Sequence, residues 1–209
     1  LSNDARDRGA VVRSGVDVTG IAVRDGAVEG VETADGTVTA DAVVVAAGWR
    51  TPGLLRGLAR VPVRPYRTQC VVLEPGCALA EDFPLVRAGS LGLYLRPEHD
   101  GDLLVGGGTA LVDEPEGANP NADEGFRAEV AAAIPGLLPG IGETGFVDGW
   151  AGVDGATPDA RPIVDAPPNA PDGLVVATGF NGLGVMAAPI VGPAVRELLG
   201  GGAAPFDLA

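Results

Sequence analysis

The residues here whose types and spacing suit chemistry are glycines rather than titratable side chains. Gly179, Gly182 and Gly184 punctuate the stretch Gly179-Phe180-Asn181-Gly182-Leu183-Gly184, which follows an apolar run over residues 174–177. Beyond it the apolar spacing turns helical. Val185, Ala188, Ile190, Val191, Val195, Leu198 and Leu199 recur at three- and four-residue steps, mostly on one face. A strand that feeds a helix through a glycine loop leaves unpaired backbone N–H groups at the helix start. With the positive end of the helix dipole, those groups receive an anion or a developing negative charge, and glycines let the ligand come close to the backbone. An ordinary strand-to-helix connection with a glycine cap uses the same residues, so the loop alone leaves the ligand open.

Other chemistry is sparse. His99 is the only histidine and falls in the polar turn His99-Asp100-Gly101-Asp102, where a solvated ring is expected. Cys70 and Cys77 form neither a disulfide framework nor a metal-ligand pattern, and read as buried small hydrophobes. All 14 basic residues are arginine, so no mechanism that needs a lysine is run by this chain. A net charge of −14 argues against nucleic acid, whose phosphates would be repelled. The Asp-rich, Lys-free composition is halophile-like or the mark of a GC-rich genome, which concerns solvation and codon usage rather than chemistry. No run approaches the roughly 18 apolar residues of a membrane helix, and no signal peptide is recognisable. The expectations are no membrane partner and a cytoplasmic protein.

The elements that must position the glycine loop are legible in order. Residues 1–13 read as the tail of a helix ended by Gly9, and residues 11–23 as an interrupted strand. Asp25-Gly26 and Asp35-Gly36 are two-residue hairpin signals, giving a three-stranded meander over residues 21–24, 28–33 and 37–40. Residues 42–47 form a continuous apolar run, a strand buried on both faces if parallel. Gly48 ends it, and Thr51-Pro52 opens a short helix over residues 53–58. A second texture follows, with strands over 64–73, 91–96 and 103–105. A helix capped by Asn121 or Asp123 runs through Ala133 and is closed by Pro135 and Gly136. Residues 146–153 are another strand candidate, residues 158–171 are proline-rich, and 200–204 are low in complexity. Nucleotide-type strands, an antiparallel sheet with one helix, and a return to the first domain place a ligand cleft at the domain junction.

Three segments, in this order, carry a resemblance. Residues 40–49 read Ala-Asp-Ala-Val-Val-Val-Ala-Ala-Gly-Trp. Residues 150–164 hold Trp-Ala-Gly-Val and Thr-Pro-Asp-Ala-Arg-Pro-Ile-Val. Residues 177–192 hold Ala-Thr-Gly-Phe-Asn-Gly-Leu-Gly-Val and Ala-Pro-Ile-Val-Gly. Together they resemble the carboxy-terminal two-thirds of the FAD-dependent amine and amino-acid oxidoreductases, which include sarcosine oxidase, dimethylglycine dehydrogenase, glycine oxidase and D-amino-acid oxidase. The resemblance implies an α/β (mixed α+β) fold. A partial FAD-binding Rossmann-like domain would comprise residues 1–60 and 148–209, with an antiparallel-sheet substrate domain inserted at 61–147. That family's amino-terminal strand–GxGxxG–helix unit has no counterpart here. The expectation is therefore a fragment, a subunit or a truncated product that needs a missing amino-terminal segment or partner chain to hold FAD.

The resemblance also assigns roles. Val18 would meet the adenine through its backbone, in a Gly15-Val16-Asp17-Val18 match to the family's GVxV strand. Ala46, Ala47 and Gly48 would line the ADP portion. Gly179, Phe180, Asn181, Gly182, Leu183, Gly184 and Val185 would wrap the isoalloxazine, where reduced flavin carries negative charge that a helix start stabilises. Asp159 and Arg161 would stand beside that loop, Trp150 would pack in the core or against the cofactor, and Tyr94, the catalytic candidate, would face the substrate. Four departures sharpen the reading. Gly152 stands where sarcosine oxidases attach flavin to cysteine, so the FAD is non-covalent. Met186 and Leu104 stand at or near positions of family lysines, the second one assisting oxygen activation. Asp154 stands at an arginine of glycine oxidase. A dehydrogenase is as consistent with this as an oxidase, and Arg64, Arg67 and Arg96 are the candidates to hold a substrate carboxylate. The implied function is oxidation of the C–N bond of a small amine or amino acid by hydride transfer to flavin. The alternative is a non-catalytic subunit or interaction module on a flavoprotein scaffold.

Overall fold

The computed structural model describes residues 2–98 and 100–200. His99 and all but the first residue of the 200–204 stretch lie outside them. The chain forms two compact units, Leu1–Pro62 with Arg161–Ala209, and Val63–Ala160. The first unit begins with α1 (Ser2–Asp7), β1 (Val18–Arg24), β2 (Ala27–Thr33), β3 (Gly36–Thr39), β4 (Val43–Val45) and α2 (Thr51–Leu54). The second holds β5 (Arg64–Glu74), β6 (Val86–Ala88), β7 (Leu93–Pro97), β8 (Leu103–Leu111), α3 (Glu124–Leu137) and β9 (Gly145–Ala156). The chain then returns to the first unit with β10 (Ile163–Asp165), β11 (Leu174–Thr178) and α4 (Gly184–Leu199). This is a mixed helix-and-sheet fold with antiparallel sheets, as the sequence implies. Among the described residues no helix is long and apolar enough to cross a membrane.

In the first unit β1, β2 and β3 form an antiparallel meander in that order. Asp25 at φ 52 and Gly26 at φ 85 supply the two consecutive left-handed residues that a two-residue hairpin requires. The strand expected from Val11 starts only at Val18, because that is where pairing with Thr33 begins. Val11, Val12 and Val16 are exposed. The second sheet has the order β10-β11-β4, with β4 parallel to β11 through Leu174↔Val43, Val175↔Val44 and Val176↔Val45. The expectation that residues 42–47 are buried on both faces fails at Val44, which is 39% exposed between buried Val43 and Val45. One of its faces packs with Leu55, Val61, Leu174 and Val176, and β4 is an edge of its sheet. The helix expected over 53–58 is earlier and shorter, following a 3-10 turn at Gly48–Arg50. The proline-rich 158–171 contains β10, a strand that the sequence reading does not place.

The second unit is a five-stranded antiparallel sheet, order β6-β7-β8-β5-β9, with α3 on one face. Phe126, Val130 and Ile134 of α3 bury against Val71, Leu73, Leu93, Leu95, Leu103 and Val105. The expected boundary at 147/148 falls inside β9, whose pairing with β5 runs from Glu74↔Gly145 to Arg64↔Ala156. That ladder assigns residues 148–160 to the second unit. Asp123 does precede α3, but its side chain caps nothing in the helix. Its carboxylate is held by Arg67, at 2.8 and 3.1 Å. Nor does Pro135 close α3, which continues to Leu137.

Candidate functional site

The first candidate site is made of backbone. Parallel pairing of β4 and β11 puts the residues after both strands, 46–48 and 179–183, at the same sheet end. A buried pair of hydroxyls ties them together. Thr178 Oγ1 donates to the Gly48 carbonyl at 2.9 Å, and Thr51 Oγ1 donates to Thr178 Oγ1 at 3.1 Å. Neither threonine is exposed. The loop then takes left-handed conformations at Gly179 (φ 70), Asn181 (φ 53) and Gly182 (φ 84), and Gly48 is left-handed too at φ 54. Asparagine is among the few non-glycine residues that tolerate this geometry. Its Nδ2 donates to the Gly179 carbonyl, and Leu183 N–H donates to Phe180 O at 2.9 Å, closing the turn. Helix α4 starts at Gly184 with no side-chain cap and no acidic residue in its first turn.

That helix is seated by the stripe Val191, Ala194, Val195 and Leu198 against Val164 and Ala177. The longer apolar face expected from the sequence splits. Val185, at 89% exposed, and Met186, at 69%, project from the first turn, and Ile190 and Leu199 are also exposed. Val18 opens β1 in the meander sheet, just before a register shift that leaves Thr19 between Val18 and Gly20.

The second candidate site is made of side chains, on the sheet face opposite α3. Register sets one residue from each strand in a row: Arg87, Tyr94, Gly106, Cys70 and Trp150. Alternation along β5 adds Arg64, Tyr66 and Thr68 to that face. Cys70 is half-buried and Cys77 exposed, so neither is the buried residue the sequence suggests, and Trp150 is exposed rather than in the core. Tyr94 Oη lies 3.5 Å from Cys70 Sγ. Burial, then the hydrogen bond and charge of Cys70, push the Tyr94 phenol up to about 12 against an opposing effect of Arg96. Tyr66 donates to Asp154 Oδ2 at 3.2 Å, and its phenol is raised by burial first and by Asp154 next. Both tyrosines are therefore neutral donors at physiological pH.

The three arginines proposed for a carboxylate separate clearly. Arg67 lies on the α3 side, where it donates to Asn119 O, Asn121 O and Asp123. It ties residues 119–123 to the sheet and is not a ligand group. Arg96 pairs with Glu98 at 2.6 Å. Arg64 keeps the open face. Arg87, which the sequence reading missed, shares that face as the cross-strand neighbour of Tyr94. A three-residue strand offers no periodicity by which to find it. Asp159 and Arg161 are exposed and fall in different units. Leu104, 3% exposed, sits between Arg96 and Val72 in the register. Among the described residues no His, Cys, Asp or Glu cluster could hold a metal.

The family described as FAD dependent oxidoreductase (DAO) matches residues 1–198. Glycine oxidase of Pseudomonas putida is 32% identical over 199 residues, covering 95% of this chain and 52% of its own length. D-amino acid dehydrogenase of Cereibacter sphaeroides is 30% identical over 217 residues, covering 100% of this chain and 47% of its own. The crystal structure of glycine oxidase from Geobacillus kaustophilus superposes with a TM-score of 0.84 at 26% identity, over 98% of this chain and 53% of that one. The chain thus spans about half the length of each of these relatives.

Proposed function

The chain belongs to the FAD dependent oxidoreductase family, and on that premise we propose that it is part of an enzyme that oxidises the C–N bond of a small amine or amino acid. The observation that carries the proposal is the uncapped start of α4 behind three left-handed residues. Such a backbone fits an electron-rich carbonyl edge or an anion, and side chains that would fill the space are absent from Gly179, Gly182 and Gly184. FAD, when bound, supplies the acceptor that takes hydride from the carbon beside the amine nitrogen. Residues 179–185 would hold its isoalloxazine end, Ala46, Ala47 and Gly48 its ADP portion, and Val18 its adenine, without a covalent bond. The chain's own contribution is then orientation and charge stabilisation. The N–H groups at the α4 start favour negative charge. The Thr51–Thr178–Gly48 ties fix the two loops against each other.

In the second unit the open sheet face would receive the substrate. Tyr94 stays protonated far above neutral pH, which suits it to donate a hydrogen bond and not to act as a base. Arg64 and Arg87 are the cations on that face with no ion pair among the described residues, so either could meet a carboxylate. The rest of the FAD site would come from an amino-terminal segment or a partner chain. The open edge of β4, with apolar Val44 exposed beside it, supports a further strand there. Apolar, buried Leu104, near the position of an oxygen-activating lysine in some family members, is as consistent with a dehydrogenase that hands electrons to another acceptor as with an oxidase. The test is to purify the full-length protein, record its flavin absorption, and assay amines and amino acids with oxygen or an artificial acceptor. Absence of flavin from the complete protein would sink the reading. Bound flavin without turnover of any substrate would favour a non-catalytic scaffold instead.

A further inference from the structure

We propose that Gly106 and Cys70 are positioning residues that lay Tyr94 across the open sheet face and thereby set substrate affinity. The inference rests on the reading of that face as the substrate side. Gly106 is the pivot. It is the middle of the row Tyr94, Gly106, Cys70, one residue on each of β7, β8 and β5. A Cβ built on Gly106 would lie 2.2 Å from Tyr94 Cζ and 2.4 Å from both Cε1 and Oη. The tyrosine ring therefore occupies the space of the missing side chain. Gly106 has no left-handed φ, unlike Gly108 at φ 58. Backbone freedom does not require a glycine there; close approach of the ring does.

Cys70 fixes the far end. Lying flat over β8, the ring carries its hydroxyl one strand further, to within 3.5 Å of Cys70 Sγ. A phenol has one proton to donate and lone pairs to accept. When the thiol S–H donates to Oη, the phenol O–H is left to donate to a substrate acceptor such as a carboxylate oxygen. The clamp thus defines where the hydroxyl sits.

The test uses the full-length, flavin-loaded protein and four variants: Tyr94→Phe, Gly106→Ala, Cys70→Val and Cys70→Ser. KM and kcat are measured with a carboxylate-bearing amine and its carboxylate-free analogue, and the tyrosinate difference spectrum follows titration. Tyr94→Phe should raise KM for the carboxylate substrate about tenfold, the scale of one hydrogen bond to a charged group. Gly106→Ala should do the same, and the double variant with Tyr94→Phe should be no worse than either single one. Cys70→Val, which keeps the volume but not the hydrogen bond, should raise KM with kcat unchanged and move the alkaline Tyr94 midpoint. Cys70→Ser should restore both. Additive losses in the double variant, or a Tyr94 midpoint unmoved by Cys70→Val, would overturn the clamp. If Gly106→Ala fails to fold, the Cys70 pair decides alone. Tyr94→Phe kinetics identical to wild type would instead overturn the substrate reading on which the clamp rests, while the titration still reports whether Cys70 holds the ring.

Discussion

The α4 loop and the open face of the five-stranded sheet solve opposite problems. The loop offers backbone: three left-handed residues, a helix start and two buried threonines beneath it. The sheet face offers side chains delivered from separate strands by register. A backbone site is rigid and indifferent to most side chains, which suits a bound group common to many enzymes. A side-chain site can be changed one residue at a time, which suits substrate choice. Substitutions in the two regions should therefore fail in different ways.

The largest effect is expected at Gly179. A Gly179→Val change forces a β-branched residue to a φ of 70, costing about 1–3 kcal/mol of strain before any ligand is considered. Flavin should be lost on gel filtration of the full-length protein and the thermal midpoint should fall. Retained flavin with an unchanged midpoint would show that the loop is not the rigid half of the comparison. Thr178→Val comes next, since it leaves the Gly48 carbonyl without its side-chain donor and Thr51 without its acceptor. Leaving buried groups unpaired costs about 1–3 kcal/mol in denaturant unfolding. Weakened flavin binding should accompany it, and a change in KM alone would contradict the assignment. On the sheet face, Tyr94→Phe should leave flavin retention and stability near wild type while altering KM. Loss of flavin there would collapse the distinction between the two regions.

The smallest effect is a pH dependence. The folded phenol of Tyr94 is raised to about 12, so the folded state binds its proton more tightly than the unfolded chain does. Its contribution to stability is complete below the unfolded value near about 10 and is lost as pH rises to the folded value. Wild type should therefore lose more stability between those limits than Tyr94→Phe. Equal alkaline slopes in denaturant melts would count against the buried, Cys70-bonded phenol.

The same contrast explains what the sequence made legible. The loop could be read because its glycines, the apolar run before it and the helical spacing after it are local. The meander was legible for the same reason, through Asp25-Gly26 and Asp35-Gly36. Register was not. Alternation along the strand sets Arg67 opposite Tyr66, but which of the two faces α3 covers is not local, and the partners of Arg67, Asn119, Asn121 and Asp123, lie 52 to 56 residues away. Arg67 therefore reads as an available cation when it is a structural tie. Gly106 lies just past the strand read over 103–105, and the ring that requires it belongs to another strand. Likewise, nothing within residues 145–156 announces that β5 is their partner.

The hydroxyl tie between Thr178 and Gly48 has a kinetic side. Its two ends are 130 residues apart in the chain, and the β4–β11 ladder above it spans the same distance. Contacts so distant in sequence incur most of their loop-closure entropy before they gain any stabilisation, and parallel pairing adds to the delay. During synthesis β4 emerges long before its partner, with the whole second unit still to be made. The antiparallel sheet of that unit can pair within itself meanwhile. The Gly48–Thr178 end of the first unit is thus assembled late. A refolding experiment on the full-length protein should show recovery of the second unit's tertiary signal before flavin binding returns.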